Sequence, residues 1–133
     1  MSGRILVVDD ESDSRELVSF NLRKWGYEVF CAANGLEALS RSRSVRPDLV
    51  ILDLMMGGMD GYSVCEALQH GPLARRPSVL ILTAAKGEIV RLNGLAAGAE
   101  DFLTKPFRVA ELLRRVKAIL RRRESAPTRA RRC

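Results

Sequence analysis

Ile5-Leu6-Val7-Val8 is a four-residue apolar run that stops on two carboxylates, Asp9-Asp10. The same construction recurs down the chain. Leu49-Val50-Ile51-Leu52 stops on Asp53, Val79-Leu80-Ile81-Leu82 on Thr83, and Phe102-Leu103-Thr104 on Lys105-Pro106. Short runs rich in Val, Ile and Leu, spaced by helix-length segments, read as buried strands of a parallel sheet. The pattern predicts strands near 4–9, 27–31, 48–53, 78–83 and 100–104. It predicts helices near 12–25, 35–45, 60–70, 87–97 and 107–123. Strict alternation implies right-handed crossovers with helices on both sheet faces. The expected fold is therefore α/β, a flavodoxin-like doubly wound (βα)5 with a parallel five-stranded sheet in the order 2-1-3-4-5, one of the two common solutions. That order sets the first and third strands side by side, so Asp9-Asp10 and Asp53 become neighbours at the carboxyl edge, where such sheets bind ligands.

The helix starts carry their own signals. Asp13 with Glu16, and Asn34 with Glu37, have capping-box spacing, with Asp and Asn standing where the box usually has Ser or Thr. Asp60 is the expected N-cap of the third helix. In the last helix Val109, Leu112, Leu113, Val116, Ile119 and Leu120 form one apolar stripe, and Arg108, Arg114, Arg115, Lys117, Arg121, Arg122 and Arg123 lie off it. Trp25 is expected to pack, and His70 to lie on the surface of the third helix.

The chain of 133 residues is one domain's worth, with 47% apolar and 29% charged residues, ordinary for a globular protein. No apolar run approaches the roughly 20 residues of a membrane helix, and Met1-Ser2-Gly3-Arg4 runs straight into a strand with no room for a signal peptide. Three cysteines without metal-like spacing suit a reducing cytoplasm, with Cys31 and Cys65 packing as small hydrophobes and Cys133 terminal. The net charge of +6 is unevenly placed. Residues 1–107 hold 12 Lys+Arg against 14 Asp+Glu, a balance of −2; residues 108–133 hold 10 against 2, a balance of +8. Basicity thus belongs to the last helix and tail, and whole-chain charge is no argument for nucleic-acid binding. The expected division is a domain over 1–123 and a disordered tail or linker stub over 124–133. Arg129, Arg131 and Arg132 in that stub lack interleaved aromatics and read as solvated.

Carboxylates on adjacent strand ends repel, by roughly 1 kcal/mol in water at about 4–5 Å and by several at an effective dielectric near 20. A hard divalent cation offsets this, and Mg²⁺ suits a few carboxylates plus waters and neutralises a phosphoryl group in transfer. Lys105 adds a compact positive charge to the same edge, and Thr83 a hydroxyl. Two other chemistries fit less well. A flavodoxin-like cofactor binder needs a Gly/Ser/Thr loop after the first strand, where this chain has Asp9-Asp10-Glu11-Ser12-Asp13. An aspartyl-phosphate hydrolase commonly wants a second carboxylate two residues after the nucleophile, where Met55 stands.

From about Arg4 to Arg122 the chain closely resembles the receiver domain of bacterial two-component response regulators, most of all those of winged-helix transcriptional regulators. The motifs are Ile5-Leu6-Val7-Val8-Asp9-Asp10-Glu11, Leu52-Asp53-Leu54-Met55-Met56 with Met59-Asp60-Gly61, Leu82-Thr83-Ala84, and Gly98-Ala99-Glu100-Asp101-Phe102-Leu103-Thr104-Lys105-Pro106-Phe107. The resemblance implies that Asp53 is the phosphoacceptor, taking a phosphoryl group from a sensor histidine kinase. It implies Mg²⁺, with Mn²⁺ as a substitute, bound by Asp10 directly, by Asp9 through water, by Asp53 and by the backbone carbonyl of Met55. Lys105 would pair with the phosphoryl group across a cis Lys105-Pro106 bond. Thr83 and Phe102 would form the switch, and the fourth helix, fifth strand and fifth helix the output face. There Arg91 would pair with Glu111, and Asp101 with Arg115 or Arg122, in a homodimer of the phosphorylated form. DNA would be reached only through an effector domain absent here, and no membrane is involved. The resemblance makes the chain a switch rather than an enzyme, assisting only its own phosphorylation and dephosphorylation. Two departures stand out. Gly57 replaces the usual proline, and Ala96 and Ala97 stand where winged-helix regulators often carry acidic residues.

Overall fold

The computed structural model describes residues 3–72 and 76–125. Strands and helices alternate: β1 (Arg4–Val8), α1 (Ser12–Lys24), β2 (Glu28–Ala32), α2 (Gly35–Val45), β3 (Leu49–Leu52), α3 (Gly61–Leu68), β4 (Ser78–Thr83), α4 (Glu88–Ala96), β5 (Asp101–Thr104) and α5 (Val109–Ser125). The strands are parallel, in the order β2-β1-β3-β4-β5. The fold is the one expected from the apolar runs.

Both faces of the sheet are covered, which is why β3 and β4 are apolar runs rather than alternating ones; every residue of each is buried. Side chains of successive strand residues point to opposite faces. Ile5, Val7, Ile51, Leu80 and Leu82 therefore join one core with Val18 and Leu22 of α1 and Leu112, Val116, Ile119 and Leu120 of α5. Leu6, Val8, Val50, Leu52, Val79 and Ile81 join the other with Ala38, Val64, Cys65 and Leu68. Full burial of each large aliphatic side chain contributes roughly 1.5–3 kcal/mol before entropy is counted.

Several boundaries differ from the sequence reading. The Asp13–Glu16 cap does not form, because α1 starts earlier. Asp9 Oδ1 accepts from the Glu11 N–H at 3.0 Å, and this local turn launches the helix at Ser12 with Glu11 as its uncapped N-cap residue. The other two caps do form: Asn34 accepts from the Glu37 N–H at 2.8 Å, and Asp60 from the Ser63 N–H at 3.0 Å. Trp25 does not pack but is 62% exposed, since α1 ends at Lys24 and Gly26 (φ 95°) turns the chain back so that Tyr27 fills the core instead. α3 ends at Leu68, leaving His70 exposed just beyond it. Helix α5 runs through Glu124 to Ser125, so the tail does not begin at 124. The rest of the expected tail, with Cys133, lies outside the described residues. Cys65 is buried, and burial pushes its thiol up to about 11; Cys31 is half-buried, its Sγ 3.1 Å from Ser19 Oγ. Among the described residues no helix is long and apolar enough to cross a membrane.

Candidate functional site

The parallel ladder does not stop where the strands formally end. Asp9 N–H donates to Ala32 O at 3.2 Å, Asp53 N–H to Val8 O at 3.1 Å, and Lys105 N–H to Thr83 O at 2.8 Å. Each functional residue is thus held by its neighbour's backbone, one step past the apolar run that precedes it. Sheet order then brings three segments distant in sequence to one edge.

There the Lys105 ammonium spends all three of its donors. It donates to Asp9 Oδ2 at 2.9 Å, to Asp53 Oδ2 at 3.0 Å and to Ser14 Oγ at 3.0 Å. Asp9 and Asp53 are 5% and 7% exposed, so these are buried carboxylates that require such a partner. The Lys105–Pro106 peptide is cis. Burial works to lower the Lys105 ammonium, but its hydrogen bonds and charge interactions with Asp9 and Asp53 outweigh this and hold it above the ordinary 10.5. A raised lysine favours the folded state while protonated. Its contribution is complete below pH 10.5 and is lost as pH rises through the higher folded value. Titrating the unfolding free energy upward in pH should show this loss only on the alkaline side of 10.5, and should not show it for Lys105→Met.

Two further carboxylate oxygens at this edge accept from backbone amides. Asp53 Oδ1 accepts from the Met55 N–H at 3.0 Å, and Asp10 Oδ2 from the Gly57 N–H at 3.2 Å. Among the described residues, no three His, Cys, Asp or Glu side chains form a grouping that could hold a metal ion as they lie. Of the expected metal residues, Asp9 and Asp53 share the Lys105 ammonium, while Asp10 Oδ2 accepts from the Gly57 N–H. The donor chemistry nonetheless suits a hard cation. All the candidate ligand atoms are oxygens, and three carboxylates with one ammonium leave a net charge of −2 for a divalent ion to neutralise.

Thr83 is fully buried, and its hydroxyl accepts from the Ala85 N–H at 3.3 Å. Phe102 is half-buried against the second core and lies beside Gly94 of α4, where a Cβ would come within 3.5 Å of its ring. Tyr62 joins α3 to this region by donating to Val90 O at 3.2 Å. The five charged residues expected at a dimer face are paired within the chain. Arg115 bonds Asp101 at 2.7 Å and Glu111 at 2.8 Å, Arg122 bonds Glu100 at 2.9 Å, and Arg91 lies 4.0 Å from Glu88. The Asp101–Arg115 pair foreseen between chains is thus made inside one. The placement of Asp101 directly before Phe102 on β5, beside α5, explains it.

Sequence reasoning missed Ser14 and the Gly57 amide. Ser14 is a small polar residue in the first turn of α1, five positions after Asp9. That spacing puts it over the strand edge and was a readable signal. The Gly57 contact spans 47 positions and left none.

A family model for the response regulator receiver domain matches residues 5–117. The chain belongs to this family and is the receiver domain of a two-component response regulator. It is similar to a response regulator from Chloroflexus aurantiacus, with 40% identity over 92% of this chain and 100% of that one and a TM-score of 0.85. It is similar to the BeF3-activated DrrB receiver domain, with 33% identity, 92% and 100% coverage and a TM-score of 0.81. The chemotaxis protein CheY4 of Vibrio cholerae gives 32% identity, 90% and 99% coverage and a TM-score of 0.83.

Proposed function

We propose that Asp53 accepts a phosphoryl group from a phosphohistidine on a sensor histidine kinase, and that this switches the α4–β5–α5 surface toward an output partner or transcription. One observation carries the reading: a single ammonium joins Asp53 to Asp9 across three strand ends. An Asp53 carboxylate oxygen forms the O–P bond as the P–N bond breaks, and the imidazole leaves with that electron pair. Asp9, Asp10, Asp53 and the Met55 carbonyl would hold Mg²⁺, which when bound neutralises phosphoryl oxygens. Lys105 then transfers its Asp53-directed donor to a phosphoryl oxygen while Asp9 and Ser14 keep hold of the other two. The added charge, roughly 1.5–2 units, draws the Thr83 hydroxyl away from the Ala85 amide, and Phe102 follows into the space behind it. This biases an existing equilibrium. The activated form dimerises through the same face, where Arg91, Asp101, Glu111, Arg115 and Arg122 exchange partners within the chain for partners across it. An activated form that stays monomeric at high concentration would count against the dimer.

The test is intact mass after incubation with Mg²⁺ and acetyl phosphate. One added phosphoryl group is expected for the native chain and none for Asp53→Asn. Persistence of the adduct in the variant would move the acceptor elsewhere. Met55 and Ala85 flank the site without polar groups to position an attacking water. The phosphorylated form should therefore lose its group slowly, and decay within seconds would contradict this.

A further inference from the structure

One of the three partners of the Lys105 ammonium carries no charge. Beside the carboxylates of Asp9 and Asp53 stands the Ser14 hydroxyl, which accepts at 3.0 Å across 91 positions. Ser14 is half-buried in the first turn of α1. A serine placed there commonly turns its hydroxyl back onto nearby backbone. Among the described residues, the Ser14 hydroxyl bonds Lys105 instead. The turn that carries it is itself fastened to the end of β1. The Arg15 side chain donates to Asp9 O at 2.8 Å, and the Arg15 N–H to Glu11 O at 3.0 Å.

We propose that Ser14 is a positioning residue for phosphoryl transfer: it fixes the Lys105 ammonium from the α1 side, so that the donor now on Asp53 is already aimed where the phosphoryl group arrives. The inference rests on the reading that Asp53 is the phosphoacceptor. A lysine ammonium sits on a flexible four-carbon stem. Held by one acceptor, it can still swing about that contact. Held by two, it keeps both its place and the direction of its third N–H. Asp53 cannot be one of the two, because transfer converts its carboxylate into an acyl phosphate. Asp9 and Ser14 keep their chemistry throughout. Asp9 is fixed in turn, its Oδ1 accepting from the Glu11 N–H at 3.0 Å. Ser14 supplies the second fixed point. A donor held in place beforehand costs no reorganisation when charge develops on the phosphoryl oxygens. Alanine is the better helix former, so Ser14→Ala removes the hydroxyl without weakening α1 through propensity.

The experiment compares the native chain, Ser14→Ala and Ser14→Thr by two readouts. The first is the rate of phosphoryl addition from acetyl phosphate, followed by intact mass. The second is the exchange of the Lys105 ammonium protons with water in the unphosphorylated chain, read by nitrogen-15 NMR. Ser14→Ala should be phosphorylated about three- to tenfold more slowly, and Ser14→Thr, which keeps the hydroxyl, within about twofold of the native rate. The ammonium protons should exchange several-fold faster in Ser14→Ala, where one N–H turns to water. A native rate in Ser14→Ala overturns the proposal, as does a threonine variant as slow as the alanine one. Equal ammonium exchange in the native chain and Ser14→Ala overturns it as well, because the hydroxyl then holds nothing, whatever happens to the rate. If the native chain itself gains no phosphoryl group on Asp53, the phosphoacceptor reading falls and takes the role of Ser14 with it. A slow Ser14→Ala beside a native chain that is phosphorylated on Asp53 separates the two.

Discussion

Lys105→Met should lower the unfolding free energy by about 2–4 kcal/mol at neutral pH, toward the low end of what breaking a buried ion pair costs because this edge is partly open. The side chain is 19% exposed and its two carboxylate partners 7% and 9%. Methionine preserves most of the apolar stem and removes the charge. Asp9 and Asp53 are then left facing one another without the ammonium that joins them. One readout separates this from simple loss of packing. The deficit should shrink on adding Mg²⁺, which stabilises whichever form binds it more tightly. The variant, with one positive charge fewer at the site, should gain more than the native chain. Chemical denaturation with and without Mg²⁺ makes the comparison. A deficit independent of Mg²⁺ would mean that the lysine stem, not its charge, holds the edge together.

What the sequence made legible was whatever repeats with a period or ends an apolar run. The predicted strand over 78–83 matches β4, and the stripe from Val109 to Leu120 is the buried side of α5, because both follow from regular burial. The convergence of Asp9, Asp53 and Lys105 was legible for a related reason. Each directly follows a strand, and strand order alone decides which ends are neighbours. Local competition was harder to read. The start of α1 is set by the turn before it, where the Asp9 carboxylate, also bonded by Lys105, accepts from the Glu11 N–H, and the helix then begins at Ser12 without a side-chain cap. Trp25 looked like a core residue because large aromatics usually are, yet the turn at Gly26 carries it outward. Partners far apart in sequence were not legible in detail. Gly57 meets Asp10 across 47 positions, through a hydrogen bond that no periodicity encodes. The same limit applies to Arg115, whose charge was noted but whose use inside the chain depends on how β5 lies beside α5.

Gly61→Ala should cost about 2–4 kcal/mol and disturb the phosphoacceptor strand, an effect out of proportion to one methyl group. Gly61 is the first residue of α3, and its φ is not in the left-handed region, so backbone freedom is not what requires glycine here. Space is. A Cβ would stand 2.5 Å from Leu54 Cα, 2.9 Å from Leu54 Cδ2 and 3.0 Å from Asp53 O. Two of those three atoms are main chain and cannot rotate aside. Relief requires either that α3 lift off the end of β3 or that the peptide joining Asp53 to Leu54 move. Overpacking of this kind usually costs about 1–3 kcal/mol, and backbone contact places it at the upper end or beyond. Lifting α3 opens the core around Val64 and Cys65, while moving the peptide changes the distance from Asp53 to Lys105. Gly57→Ala is the control within the same loop. With nothing within 4 Å of its added methyl, it should be neutral or slightly stabilising. Urea unfolding of the two variants gives the energetic contrast. The rate of Asp53 phosphorylation from acetyl phosphate shows which relief the molecule takes. A slowed rate in Gly61→Ala means the Asp53 peptide has moved. An unchanged rate with lost stability means that α3 yields and the strand end stays in place. Equal stability of the two variants would show that the close approach of α3 to β3 is not what fixes the position of Asp53.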